Sequence, residues 1–145
     1  MKIIFSISNK SLNLTTPCLS ILTKATSGRD SCLNNASIAC QIKPFEGPLP
    51  VGNYYIKPSE LSNPNFVGDV LRRTKGDWGD WRVRLHPSIE TKVYGRDNFF
   101  LHGGDLEGSA GCIDIGGGVM GSTMTDKILD YITSSKVKIL VEVIE

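Results

Sequence analysis

The stretch from Phe99 to Ile115 constrains this chain more than any other. It reads Phe-Phe-Leu-His-Gly-Gly-Asp-Leu-Glu-Gly-Ser-Ala-Gly-Cys-Ile-Asp-Ile. Its apolar start has the pattern of a buried strand. That strand carries His102 into a glycine-rich loop, and the loop returns Cys112 among small residues. Gly103, Gly104, Gly108 and Gly111 are more glycine than a simple hairpin needs. Surplus glycine suits a place where backbone approaches a ligand closely. A thiol and an imidazole on one short loop are the parts of an activated nucleophile. Ser109, Ala110 and Gly111 let a carbonyl reach the thiol, and their N–H groups are candidates for an oxyanion hole, with Gly103 supporting the loop. A lone Cys or His is most often structural. Their pairing, their order and the glycine around them shift the reading to chemistry.

The rest of the chain predicts a mainly β fold, a small sandwich or open barrel with one C-terminal helix and long loops. Residues 2–8 and 11–16 read as strands joined by a turn at Asn9-Lys10, and Ile21 to Ala25 as a third. Residues 17–50 are poorly periodic and rich in loop residues, and such long connections are often functional. Tyr54-Tyr55-Ile56 reads as a strand, and Phe66 to Leu71 as a short strand or a turn of helix. Asp80 to His86 alternates, with Trp81, Val83 and Leu85 inward and Arg82, Arg84 and His86 outward. Asn98 to His102 is a further strand. The helix is predicted over Thr125 to Ser134, capped by Thr123 or Thr125 with Asp126 near its positive end. Lys136 to Ile144 closes the chain as a strand apolar enough to be buried on both faces.

The order His-Gly, a short polar stretch, then Ser-x-Gly-Cys-Ile resembles the signature of L,D-transpeptidases, the YkuD-type catalytic domain. The nearer likeness is to the L,D-transpeptidase effectors of type VI secretion systems. It is carried by Arg96-Asp97-Asn98-Phe99-Phe100-Leu101-His102-Gly103-Gly104 and Gly108-Ser109-Ala110-Gly111-Cys112-Ile113-Asp114. Upstream it is carried by Ser27-Gly28-Arg29 and Gly47-Pro48-Leu49-Pro50-Val51-Gly52-Asn53-Tyr54. Most L,D-transpeptidases have a second histidine two places before the cysteine and an arginine two places after it. Ala110 and Asp114 stand there in this chain, which suits the effector branch better than the housekeeping one.

The resemblance implies one L,D-transpeptidase-like catalytic domain over residues 1–145 that acts on peptidoglycan stem peptides. Cys112 would be the nucleophile and His102 its base, forming a thioester that water or an amine resolves. His102 then needs an orienting acceptor, for which Asp105, Asp114 and a backbone carbonyl are candidates. Arg96 is a candidate to grip a substrate carboxylate, Asp114 to contact substrate, and Tyr54 and Tyr55, with Trp78 and Trp81, to wall a groove. Arg72, Arg73, Arg82 and Arg84 read mostly as solvated faces, and His86 as a surface residue. Two other classes stay open: another cysteine amidase or peptidase of the wall, and a non-catalytic wall-binding module. Papain-like and NlpC/P60-like enzymes place Cys before His, against the order found here.

The remaining features limit partners. The formal net charge of +1 makes no case for nucleic acid. No run of about 18 apolar residues predicts membrane insertion. The apolar start at Ile3 breaks at Ser6, shorter than the ~7–15 residues of a signal-peptide core. Export by a secretion machine, action in the periplasm of a target cell and a cognate immunity protein are the matching expectations. No cofactor is called for, and no metal site is expected, since the two histidines and four cysteines lack metal-ligand spacing. Cys18, Cys32 and Cys40 allow one disulfide or three reduced thiols.

Overall fold

The computed structural model describes residues 1–62, 81–104, 108–117 and 122–145. Its strands are β1 (Lys2–Ser6), β2 (Ser11–Thr15), β3 (Ser20–Lys24), β4 (Gly52–Ile56) and β5 (Arg82–Arg84), then β6 (His86–Pro87), β7 (Phe100–Gly104), β8 (Ile113–Gly117) and β9 (Ile139–Ile144). They form a six-stranded sheet, β3-β2-β1-β9-β4-β6, and a three-stranded sheet, β5-β7-β8. The mainly β expectation holds. The reading of residues 66–71, together with Arg72, Arg73, Trp78 and Asp105, lies outside the described residues.

Alternation builds the core. In the large sheet, Ile21, Leu14, Ile3, Val141 and Tyr54 lie side by side in register across five strands. All are buried, as are Phe5, Leu12 and Val143 in the neighbouring row. The small sheet turns Val83, Leu101 and Ile113 into the same core. Each strand therefore has one buried face and one that carries polar or half-exposed residues.

Three elements depart from their sequence expectations. β9 is buried on one face only: Ile139, Val141 and Val143 point inward, whereas Leu140 is 61% exposed. The cap of the C-terminal helix, Thr123–Ser134, is Ser122, whose hydroxyl accepts from the Thr125 N–H while the Thr125 hydroxyl accepts from the Ser122 N–H. The segment around Trp81 to His86 keeps its predicted in–out alternation but is split between sheets. Arg82–Arg84 pairs with β7, and His86 then pairs with Tyr55 of β4. Pro87, which has no N–H, ends that short ladder.

The irregular stretch after β3 is tied down by a Cys32–Cys40 disulfide, which settles the thiols left open above; Cys18 is exposed and free. The bridge spans a sequence separation of 8, a closure that chain entropy values at about 2.5 kcal/mol. Reduction is expected to lower the melting temperature by roughly 5–10 °C. Scanning calorimetry with and without a thiol reductant checks this; coincident melts would place the two sulfurs apart in solution.

Candidate active site

β7 and β8 run parallel, with Leu101 opposite Ile113 and His102 opposite Asp114. They are not a hairpin. After Gly104 the chain must travel back to the starting end of β7 before β8 begins. Five strand residues span about 16 Å. Gly108 and Gly111 serve the described end of that return. Gly108 and Gly111 have φ of +87° and +73°. A β-carbon on Gly108 would stand 2.4 Å from the Gly28 carbonyl oxygen, so backbone packs on backbone there.

The return places Cys112 at the entrance to β8, beside Phe100 and two residues before Asp114. The side chain of Cys112 is buried, whereas Gly108, Ser109 and Ala110 are half-exposed. Burial pushes the Cys112 thiol above its ordinary pKa. Hydrogen bonds from the Ser109 hydroxyl and the Phe100 backbone N–H oppose that shift, the charge of Asp114 adds to it, and Arg96 opposes it. The resting thiol is protonated at neutral pH, so a nucleophilic role for it would require a base.

His102 is the candidate base. Its Nδ1 lies 2.6 Å from the Gly103 carbonyl oxygen. A carbonyl only accepts, so Nδ1 carries the proton, and the neutral ring has its basic lone pair on Nε2. The orienting acceptor is thus a backbone carbonyl, and Gly103 acts through its own oxygen. Asp114 has a different post. Its Oδ1 accepts from the Gly116 N–H at 2.7 Å, and its main chain pairs with Thr26.

The loop is clamped from below by the upstream motifs. Ser27, fully buried, donates its hydroxyl to the Cys112 carbonyl and accepts from the Leu49 N–H. The Gly28 N–H donates to the Ser109 carbonyl, and the Gly108 N–H to the Thr26 hydroxyl. The Gly111 N–H donates to the Gly47 carbonyl at 2.9 Å, and that of Cys112 to the Ser109 carbonyl at 3.2 Å. The Gly111 N–H is therefore committed to the scaffold and is not an oxyanion donor, which leaves Ser109 and Ala110 of the three expected. The clamping roles of Thr26, Ser27 and Gly28 were not legible in sequence. Ser27-Gly28-Arg29 stood out only through the resemblance.

Two expected substrate contacts are placed in the scaffold instead. Arg96 is buried, with Nη1 donating to the carbonyls of Gln41 and Pro48 and Nη2 to that of Gly47. Its guanidinium also lies 5.9 Å over the Phe99 ring. Its donors face main chain, not a carboxylate. Tyr54 is in the core, its hydroxyl on the Pro50 carbonyl and its ring edge-on to Phe99. Burial holds its phenol well above the ordinary pKa. Trp81 is fully buried, so it does not wall a groove. His86 stacks on Tyr55 and meets Glu60 at 2.6 Å, away from the thiol, and that contact, more than any other, lowers the Glu60 pKa.

A buried thiol with a raised pKa also marks stability. The unfolded chain releases the Cys112 proton at a lower pH than the folded chain does. Stability from this group is fully present below the unfolded value, and it is lost as pH rises through the folded one. Cys112→Ala is expected to lessen the alkaline loss of stability, by at most about 1.4 kcal/mol per pH unit. Urea melts from pH 8 to 10 check this, and parallel curves for the two proteins would refute it.

Among the described residues, no group of three or more His, Cys, Asp or Glu is placed to hold a metal ion. No described helix is long and apolar enough to cross a membrane. No curated protein matches the chain by sequence. Residues 22–137 match the family described as the Tlde1 domain, and the chain belongs to that family of type VI secretion L,D-transpeptidase effectors.

Proposed function

We propose that this Tlde1-domain protein is a peptidoglycan-directed cysteine acyltransferase, working as an L,D-transpeptidase or L,D-carboxypeptidase on stem tetrapeptides. The observation that carries the reading is the His102 ring. Its Nδ1–H is tied to the Gly103 carbonyl, and its basic nitrogen belongs to the strand next to the buried Cys112 thiol. Nε2 takes the thiol proton as sulfur attacks the carbonyl at the L-centre before the terminal D-residue. The S–C bond forms, the C–N bond breaks, and His102 returns the proton to the leaving amine. Water then resolves the thioester to a tripeptide, or another amine takes its place. N–H groups of the half-exposed loop at Ser109 and Ala110 are the candidates to meet the oxyanion.

The Cys32–Cys40 disulfide supports a working compartment that is oxidising, such as the periplasm of a target cell. In this reading the protein is made in the cytoplasm and passes through the secretion machine. A cognate immunity protein guards sister cells. The test is incubation of the purified chain with tetrapeptide muropeptides and a labelled D-amino acid, read by mass spectrometry. Loss or exchange of the terminal D-residue is expected. An unchanged muropeptide profile overturns the proposal.

A further inference from the structure

The Cys32–Cys40 disulfide lies where the two clamps on the Cys112 loop meet. On the Cys32 side, Asn34 and Ser27 exchange two hydrogen bonds. The Asn34 N–H donates to the Ser27 carbonyl, and the Ser27 N–H to the Asn34 side-chain carbonyl at 3.1 Å. Ser27 in turn grips the Cys112 carbonyl. The Cys32 carbonyl leaves no room for a β-carbon on Gly28, and a β-carbon on Gly108 would stand 2.6 Å from the Leu33 side chain. The segment thus packs directly beneath the loop. On the Cys40 side, the Gln41 carbonyl accepts from Arg96 at 2.6 Å, and the other Arg96 donors hold the Pro48 and Gly47 carbonyls. The Gly47 carbonyl holds the Gly111 N–H. One covalent bond therefore joins the support of Cys112 to the support of the residue before it. Little else fixes the segment. Over residues 29–46 the buried residues are Cys32, Cys40 and Gln41. Leu33, Ile38, Ile42 and Phe45 are exposed. The helix Ile38–Gln41 is a single turn, too short to persist by itself. Neither cysteine belongs to the apolar core that joins the two sheets, so that core does not depend on the bridge.

We propose that the Cys32–Cys40 disulfide is a redox switch for this site: the oxidised chain holds the Cys112 loop in its working geometry, and the reduced chain is folded but slow. This rests on the acyl-transfer reading above. In the reduced chain the exposed segment has no covalent tie, and its hydrogen bonds to Ser27 and Arg96 compete with water. Both clamps then loosen together, and the thiol loses its fixed position against His102. Closure needs a disulfide oxidant, such as glutathione disulfide. The Cys40 thiolate, 7% exposed against 0% for Cys32, attacks one sulfur of the oxidant and displaces a thiolate. The Cys32 thiolate then attacks the Cys40 sulfur, and the second thiolate leaves. Two electrons pass to the oxidant, and the two protons lost by the cysteines end on its two sulfurs. A reducing cytosol keeps the chain in its slow form, and an oxidising compartment turns it on.

The experiment starts from the full chain purified with its cysteines reduced, part of which is then oxidised with glutathione disulfide. Release of the terminal D-residue from a tetrapeptide muropeptide is measured on both forms, well below both melting points, with circular dichroism as the check on folding. The oxidised chain is expected to have a kcat roughly 10- to 100-fold above the reduced one, the cost of a misplacement of about 1 Å. Cys32→Ala/Cys40→Ala should match the reduced chain and not respond to the oxidant. Asn34 has φ of +54°, which glycine adopts freely, so Asn34→Gly removes the acceptor for Ser27 and leaves the backbone unstrained. With its disulfide intact it should lose roughly 10-fold in kcat, and Asn34→Asp, which keeps the acceptor, should stay near wild type. Equal kcat in folded reduced and oxidised chains overturns the switch and leaves the acyl-transfer reading standing. An oxidised wild type without turnover overturns both. A double variant that responds to the oxidant as the wild type does assigns the effect to Cys18 or Cys112 and overturns the switch. Should the reduced chain be unfolded at the assay temperature, Asn34→Gly decides, and full activity there overturns the coupling.

Discussion

Cys112→Ala is expected to abolish turnover, by roughly four to six orders of magnitude, while the chain still folds. Without sulfur there is no thioester, and neither water nor an amine has an acyl-enzyme to resolve. The fold should survive because the ties that hold the loop are main-chain ties. Ser27 grips the Cys112 carbonyl, the Cys112 N–H binds the Ser109 carbonyl, and Gly111 is tied to Gly47; none of these needs the sulfur. What the alanine loses is a small buried volume and the thiol's bonds to Ser109 and Phe100, a cost of about 1–2 kcal/mol. Cys112→Ser should be nearly as inactive, since a hydroxyl is far harder than a thiol for His102 to deprotonate. The check pairs release of the terminal D-residue with a melting curve. Activity within a few-fold of wild type in both variants would move the nucleophile to another residue.

The parts of this site that were legible in sequence are those written in local pattern. Alternation placed Trp81, Val83 and Leu85 in the core, because a strand's period of two needs no knowledge of its partners. The His-to-Cys block marked itself by residue type and glycine content. What stayed hidden depends on pairing across long stretches of chain. Nothing local to Phe99–Ile115 reveals that β7 and β8 run parallel, yet that direction puts Cys112 next to Phe100 instead of across a turn. The sheet switch between Arg84 and His86 is equally non-local, and so is the placing of Arg82 beside His102. Read alone, Arg82 and Arg84 are an outward, charged edge.

Arg96 is where residue type misled most, and its removal carries the largest expected cost to stability. An arginine near a candidate base reads as a carboxylate grip. The fold instead turns it inward, beneath the loop, onto three carbonyls from residues 41, 47 and 48. A β-carbon on Gly47 would lie 2.9 Å from Nη1, and one on Gly111 would lie 3.1 Å from Nη2, so the guanidinium fills the gap between clamp and loop. The Gly47 carbonyl is also the acceptor for the Gly111 N–H. The charge thus joins the upstream motif to the residue before Cys112. Arg96→Met keeps the volume and stem but leaves these carbonyls facing an apolar group. The expected loss is about 3–5 kcal/mol, because buried acceptors forfeit charge-assisted bonds and gain no water. Arg96→Lys should recover only part of it, since an ammonium cannot reach three carbonyls in the plane of a fork. The two roles differ in their readout. A carboxylate grip predicts a raised KM with an unchanged melt. A brace predicts a lowered urea midpoint and a fall in kcat as the Cys112 loop loosens. A variant with wild-type stability and a selectively raised KM would return Arg96 to the substrate.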